Sequence, residues 1–195
     1  MRRMPVMLAV LSFALSRTAG AATPAEDAFS KRLPEVCAAL QQRGFRAPEE
    51  LGTKPKAEMR IPGLMYLCNV VRPLAGKGPG RPPEVAALLA GEGDDPGVVL
   101  SANVWCALDV EPALRALSDE VELVAGRLGP PPPKEALAAI RAGRKLEAGA
   151  PPGLAYRIVP IEVDKDACGK VPPGTLGPVH MKLDVSIRPG KPRPR

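Results

Sequence analysis

The sequence predicts an α+β domain: a small, mostly antiparallel sheet covered on one face by helices and braced by two disulfides. Three observations carry that prediction. HMKLDVSI, residues 180–187, alternates cleanly, with Met181, Leu183, Val185 and Ile187 on one face and His180, Lys182, Asp184 and Ser186 on the other, the period of two that a half-buried strand requires. Residues 110–128 carry Val110, Leu114, Leu117, Val121, Val124 and Leu128 at steps of four and three, the stripe of an amphipathic helix. The third is a set of four cysteines, Cys37, Cys68, Cys106 and Cys168, behind an amino terminus built like an export signal.

Residues 1–22 read as a cleavable secretory signal peptide: Arg2 and Arg3, an apolar run from Val6 to Leu15 too short to span a bilayer, then small residues at Ala19, Gly20, Ala21 and Ala22. Cleavage is expected after Ala21 or Ala22. The domain then spans residues 23–187, about 170 residues with the tail, a size for one core, and residues 188–195 form a flexible, basic, Pro-rich tail. The leader holds Arg2, Arg3 and Arg17 and no acid, and the tail holds Arg188, Lys191, Arg193 and Arg195; these seven cations exceed the formal net charge of +6. The body between is therefore slightly acidic, and with one tryptophan, two tyrosines and three phenylalanines it lacks the basic groove and stacking platforms of a nucleic-acid binder. No segment after the leader has the length of apolar chain that a transmembrane helix needs. A periplasmic or secreted location follows.

In such a compartment an even number of cysteines reads as disulfides. Structural zinc is the competing use of four thiols, but it favours close pairs such as C-x-x-C, and none of these cysteines has a near neighbour. Three pairings are possible; chain proximity alone favours Cys37 with Cys68 and Cys106 with Cys168.

Element by element, Phe29, Leu33, Val36, Cys37 and Leu40 recur at helical intervals toward a stop at Gly44. Pro34 puts the start either at a cap on Ser30 or at Pro34 itself. Residues 47–63 read as loop, and LMYLCNVV, residues 64–71, as a buried strand. EVAALLAG, between Pro83 and Gly91, reads as a short helix. VVLSANVWCAL, residues 98–108, reads as a strand in which Trp105 packs beside a disulfide. It leads into the striped helix, with Asp109 as cap and Pro112 in the first turn. The stripe lasts under three heptads, so it is expected to pack on the sheet and not to form a coiled coil. PPPP at 130–133 leads to a second helix, KEALAAIRAGRKL. AYRIVPIEV, residues 155–163, is a strand that Pro160 confines to an edge or a bulge.

Few residues point to chemistry. His180, Asp184 and Ser186 have the composition of a hydrolytic triad, but His180 and Asp184 stand about 13 Å apart along one strand, too far to serve one another. Together with Lys182 they make a candidate polar site, and His180 as general base of a small exported hydrolase is the alternative function. IEVDKDACGK opens like a calcium loop and then places Cys168 and Thr175 where oxygen ligands belong. Glu111, Asp119, Glu120 and Glu122 read as the solvated face of their helix. Phosphate-binding, dinucleotide-binding and H-E-x-x-H motifs are absent from the sequence. No catalytic residue, metal or cofactor is expected. The expectation is a non-catalytic, disulfide-stabilised binding or interaction protein of the bacterial cell envelope, whose partner the sequence does not name, with weak contact between its tail and anionic surfaces.

Overall fold

The computed structural model describes residues 23–47, 50, 66–75, 82–90, 96–105, 109–148, 153–162 and 179–190, with the side chains of all but Tyr66, Leu67, Glu162, Val179 and His180. Three helices, α1 (Pro24–Gln42), α2 (Glu111–Leu128) and α3 (Lys134–Arg141), pack on a sheet of β1 (Tyr66–Pro73), β2 (Glu84–Ala90), β3 (Gly97–Trp105), β4 (Leu146–Ala148), β5 (Leu154–Glu162) and β6 (Val179–Pro189). The strand order is β1-β2-β3-β6-β5-β4, with every pair antiparallel. Two three-stranded meanders thus meet at the β3–β6 pair, and the class is α+β as predicted.

Register explains the core. Leu89, Val98, Ile187 and Tyr156 form one row across β2, β3, β6 and β5, and Ala87, Leu100, Val185 and Ile158 form the next. All eight are buried, because alternate residues of each strand share a face. The helices cover that face with Phe29, Leu33, Val36 and Leu40 from α1, Leu117, Val121 and Val124 from α2, and Ala136 and Ile140 from α3. Each large apolar side chain buried this way contributes roughly 1.5–3 kcal/mol. The stripe of α2 therefore packs in the core of its own chain. Arg32 of α1 donates to the Leu128 carbonyl at 3.1 Å, giving α2 a cation at the end where its unpaired carbonyls lie.

Among the described residues one disulfide is seen, Cys37–Cys68, with Cα atoms 6.1 Å apart. It ties α1 to β1. Cys106 and Cys168 lie outside the described residues, as do residues 1–22 read as a leader, the calcium-like stretch at 164–169 and residues 191–195 of the expected tail. No helix among the described residues is long and apolar enough to cross a membrane.

Several expectations need correction. EVAALLA is not a helix but β2: Val85, Ala87 and Leu89 are buried while Ala86, Leu88 and Ala90 are half-exposed. An all-apolar run hides its period, and ladder bonding to β1 on one side and β3 on the other outweighs the helix propensity of alanine. Helix α1 begins neither at a Ser30 cap nor at Pro34. Thr23 and Glu26 close a capping box, with the Thr23 N–H donating to Glu26 Oε2 at 2.7 Å and the Glu26 N–H to Thr23 Oγ1 at 3.3 Å, and Pro34 lies inside the helix. Asp109 is not the N-cap of α2, which is Val110, although Asp109 Oδ1 accepts from the Glu111 N–H at 3.1 Å. Helix α3 stops at Arg141, where Gly143 takes φ 60° and the Arg144 N–H reaches the Ala139 carbonyl, so that Leu146 starts β4. Strand β6 continues through Arg188 and Pro189, two residues into the segment read as tail. Trp105 is half-buried and lies outside the main core cluster, beside a register shift between Val104 and Trp105. Pro160 sits where β4 has already ended its pairing at Ile158, which leaves that flank of β5 free to accept a residue without an N–H.

Tyr156 is 3% exposed, and its hydroxyl has no hydrogen-bond partner among the described residues. Burial pushes the phenol up to about 12. The neutral form is thus favoured in the fold: stability is unaffected below the ordinary value near 10 and falls as pH rises from there toward 12. Tyr156→Phe removes an unsatisfied polar group. We expect urea denaturation at pH 7 to give stability equal to or about 1 kcal/mol above wild type, and the loss between pH 8 and pH 11 to shrink; a large loss at pH 7 would contradict this reading.

Candidate functional site

The face of the sheet away from the helices carries the polar site read from the sequence. Lys182 and Asp184 do come together there, Nζ to Oδ2 at 3.1 Å, and Ser101 of β3 donates to Asp184 Oδ1 at 2.7 Å. Both carboxylate oxygens are thereby engaged. Asn103 donates to Glu84 across β3 and β2 at 3.2 Å. His180 lies in β6 with the parity of Lys182 and Asp184, four residues and about 13 Å from Asp184; its side chain is outside the described set. Ser186 pairs in register with Val99 and Arg157, not with Ser101 or Asp184. These are cross-strand contacts that satisfy one another, and they assemble no nucleophile with a base. Around them Ala86, Leu88, Val99 and Val159 are half-exposed and Ile161 is 39% exposed.

The opposite side of the molecule holds a second, differently built site. Glu120 of α2 is charged and 0% exposed. Arg43, just past α1, places Nε 2.9 Å from both of its oxygens, and Arg72 of β1 places Nη2 2.7 Å from Oε1. One buried carboxylate thus faces two guanidinium groups.

Local structure explains how they converge. Gly44 takes φ 85°, a region glycine enters freely, and the Phe45 N–H bonds the Leu40 carbonyl at 3.2 Å, the six-to-one bond that ends a helix on a left-handed residue. The turn leaves Arg43 beside α2 and sends Phe45 into the core. Arg46 then pairs with Val71 through both backbone bonds, at 2.9 and 2.8 Å, which fixes this segment along β1. Arg72 lies over the Phe45 ring, 5.1 Å from its centroid, a cation–π contact that limits where its guanidinium can go.

Each side chain retains donors. Arg43 reaches Glu120 through Nε alone, so both of its Nη groups lack a partner among the described residues, as does Arg72 Nη1. Arg72 Nε is buried without one. Arg43 and Arg72 are 43% and 23% exposed. They line a hollow of about 520 Å³ with Leu74, Pro112 and Ala116 as apolar wall and Asp109, Glu111, Arg115 and Asp119 beyond. That volume lies within the range of small-molecule sites. Guanidinium groups held from behind by a buried acid and open in front are suited to a carboxylate or a phosphate.

Sequence reading missed this site. It placed Glu120 on a solvated face, yet Glu120 falls three residues after Leu117 and four before Val124, inside the buried stripe. An acid at such a position demands a cation, and that is the signal the sequence did contain. Among the described residues no three His, Cys, Asp or Glu side chains gather as metal ligands. The chain matches no known protein family, no curated protein and no solved structure.

Proposed function

We propose that the chain is an exported, disulfide-braced protein of the bacterial cell envelope or its surroundings, one that binds and does not catalyse, and that its ligand site is the two-arginine hollow. The observation that carries this is Glu120: a fully buried carboxylate that orients two guanidinium groups while leaving their outer N–H groups without a partner among the described residues. Buried ion pairs are a poor source of stability, so an arrangement that spends one on presenting arginines to a hollow is better suited to recognition.

Support for export and bracing comes from the ends of the elements. The capping box of α1 closes on Thr23, directly after the expected cut, so this helix starts where the leader would stop. The second bridge of the proposal is Cys106–Cys168. Trp105, which precedes Cys106, pairs with Val179, and Glu162 at the end of β5 pairs with Met181. Trp105 and Glu162, the described residues nearest in sequence before the two cysteines, therefore lie at the same end of the sheet. The tail cations Lys191, Arg193 and Arg195 give a secondary, salt-sensitive contact with anionic surfaces.

Non-denaturing mass spectrometry of the processed protein from its native envelope fraction tests the binding reading. The expected result is a small-molecule adduct that Arg43→Ala loses and His180→Ala keeps. A protein with no adduct, turning over an ester or amide substrate in a way that His180→Ala abolishes, would replace it with the hydrolase.

A further inference from the structure

The charges around the hollow are separated, and their separation specifies a ligand class. Glu120 balances one of the two guanidinium charges on its wall, leaving one positive charge in excess at Arg43 and Arg72. On the α2 side, Arg115 and Glu111 cancel one another at 2.6 Å. Among the described residues Asp109 accepts the Glu111 N–H alone and Asp119 has no hydrogen-bond or ion-pair partner, although Arg141 lines an adjoining hollow with it; both carboxylates stay open to a ligand. The hollow thus has a cationic wall and an anionic wall, with Pro112, Ala116 and Leu74 between them.

Resting on the binding reading above, we infer that the ligand is a small zwitterion, an amino acid or a short peptide, whose carboxylate meets Arg43 and Arg72 and whose ammonium meets Asp119 and Asp109. A simple dianion satisfies the arginine wall and is repelled by the carboxylates; a diamine is repelled at the opposite wall. Only a molecule carrying both charges is attracted at both ends. The apolar wall is small, so the site reads the charged ends and tolerates variation between them.

Isothermal titration at low ionic strength, where such contacts are least screened, separates the possibilities with three probes: glycylglycine, succinate and putrescine. Glycylglycine is expected to bind more tightly than the other two. Arg43→Ala should weaken it by roughly tenfold or more, the loss for a hydrogen bond to a charged group, with Arg43→Lys intermediate because it keeps the charge and loses the fork. Asp119→Asn, at an exposed position where folding is unaffected, should weaken glycylglycine and strengthen succinate. Succinate binding more tightly than glycylglycine in wild type, or glycylglycine binding indifferent to Asp119→Asn, overturns the zwitterion inference and leaves the arginine site standing. Absence of binding by all three probes overturns both.

Discussion

Glu120→Ala is expected to lower the free energy of unfolding by about 3 kcal/mol, the low end of what removal of one partner from a buried ion pair costs. The low end applies because Arg43 and Arg72 are partly exposed and water can reach the guanidinium groups that the substitution strands. Two further changes isolate the cause. Glu120→Gln keeps the shape and should recover part of the loss through hydrogen bonding. Replacing Glu120, Arg43 and Arg72 together by leucine or methionine should bring stability back near wild type, while ligand binding disappears. Denaturant unfolding monitored by circular dichroism reads all three. A Glu120→Ala protein as stable as wild type would mean that the carboxylate does not hold the arginines.

Cys37→Ala with Cys68→Ala is expected to cost roughly 3–4 kcal/mol, the loop-closure value for a bridge across 31 residues. The effect arises largely in the unfolded chain, which regains the freedom the bridge had removed. The native contacts of α1 should survive, since Phe29, Leu33, Val36 and Leu40 are buried independently of the sulfur bridge. The variant is therefore expected to keep its circular dichroism spectrum and to unfold at a lower urea concentration. Unchanged stability would mean that the bridge constrains nothing the fold does not already fix.

Both predictions concern links between distant parts of the chain; chain proximity favours the Cys37–Cys68 link, whereas the sequence hid the one through Glu120. Strand β6 was legible because Met181, Leu183, Val185 and Ile187 face the core while their neighbours face out, a pattern contained in eight residues. Helix α2 was legible for the same local reason. Strand β2 was not, since Ala86 and Leu88 are as apolar as Ala87 and Leu89 and only the flanking strands decide its state. The α1 start carried a readable signal, T-x-x-E at Thr23 and Glu26, hidden by its closeness to the expected signal-peptide cut. The candidate site was least legible. Arg43 and Arg72 lie 77 and 48 residues from Glu120, and no periodicity reports a partner at that range. What the sequence offered was a carboxylate inside an apolar stripe, whose meaning depends on knowing what packs above it. On the sheet's open face Lys182 and Asp184 share a parity that the sequence shows, whereas Ser101 joins Asp184 from another strand, which no local pattern reports.

The central proposal is export into an oxidising compartment, with loss of the leader and pairing of all four cysteines. Intact mass of the protein purified from its native source, taken before and after alkylation under denaturing conditions, tests this directly. The expected mass is that of a chain beginning at Ala22 or Thr23, less four hydrogens, with no alkyl group added. A chain that retains residues 1–21, or one that takes up alkyl groups on all four cysteines, would contradict it.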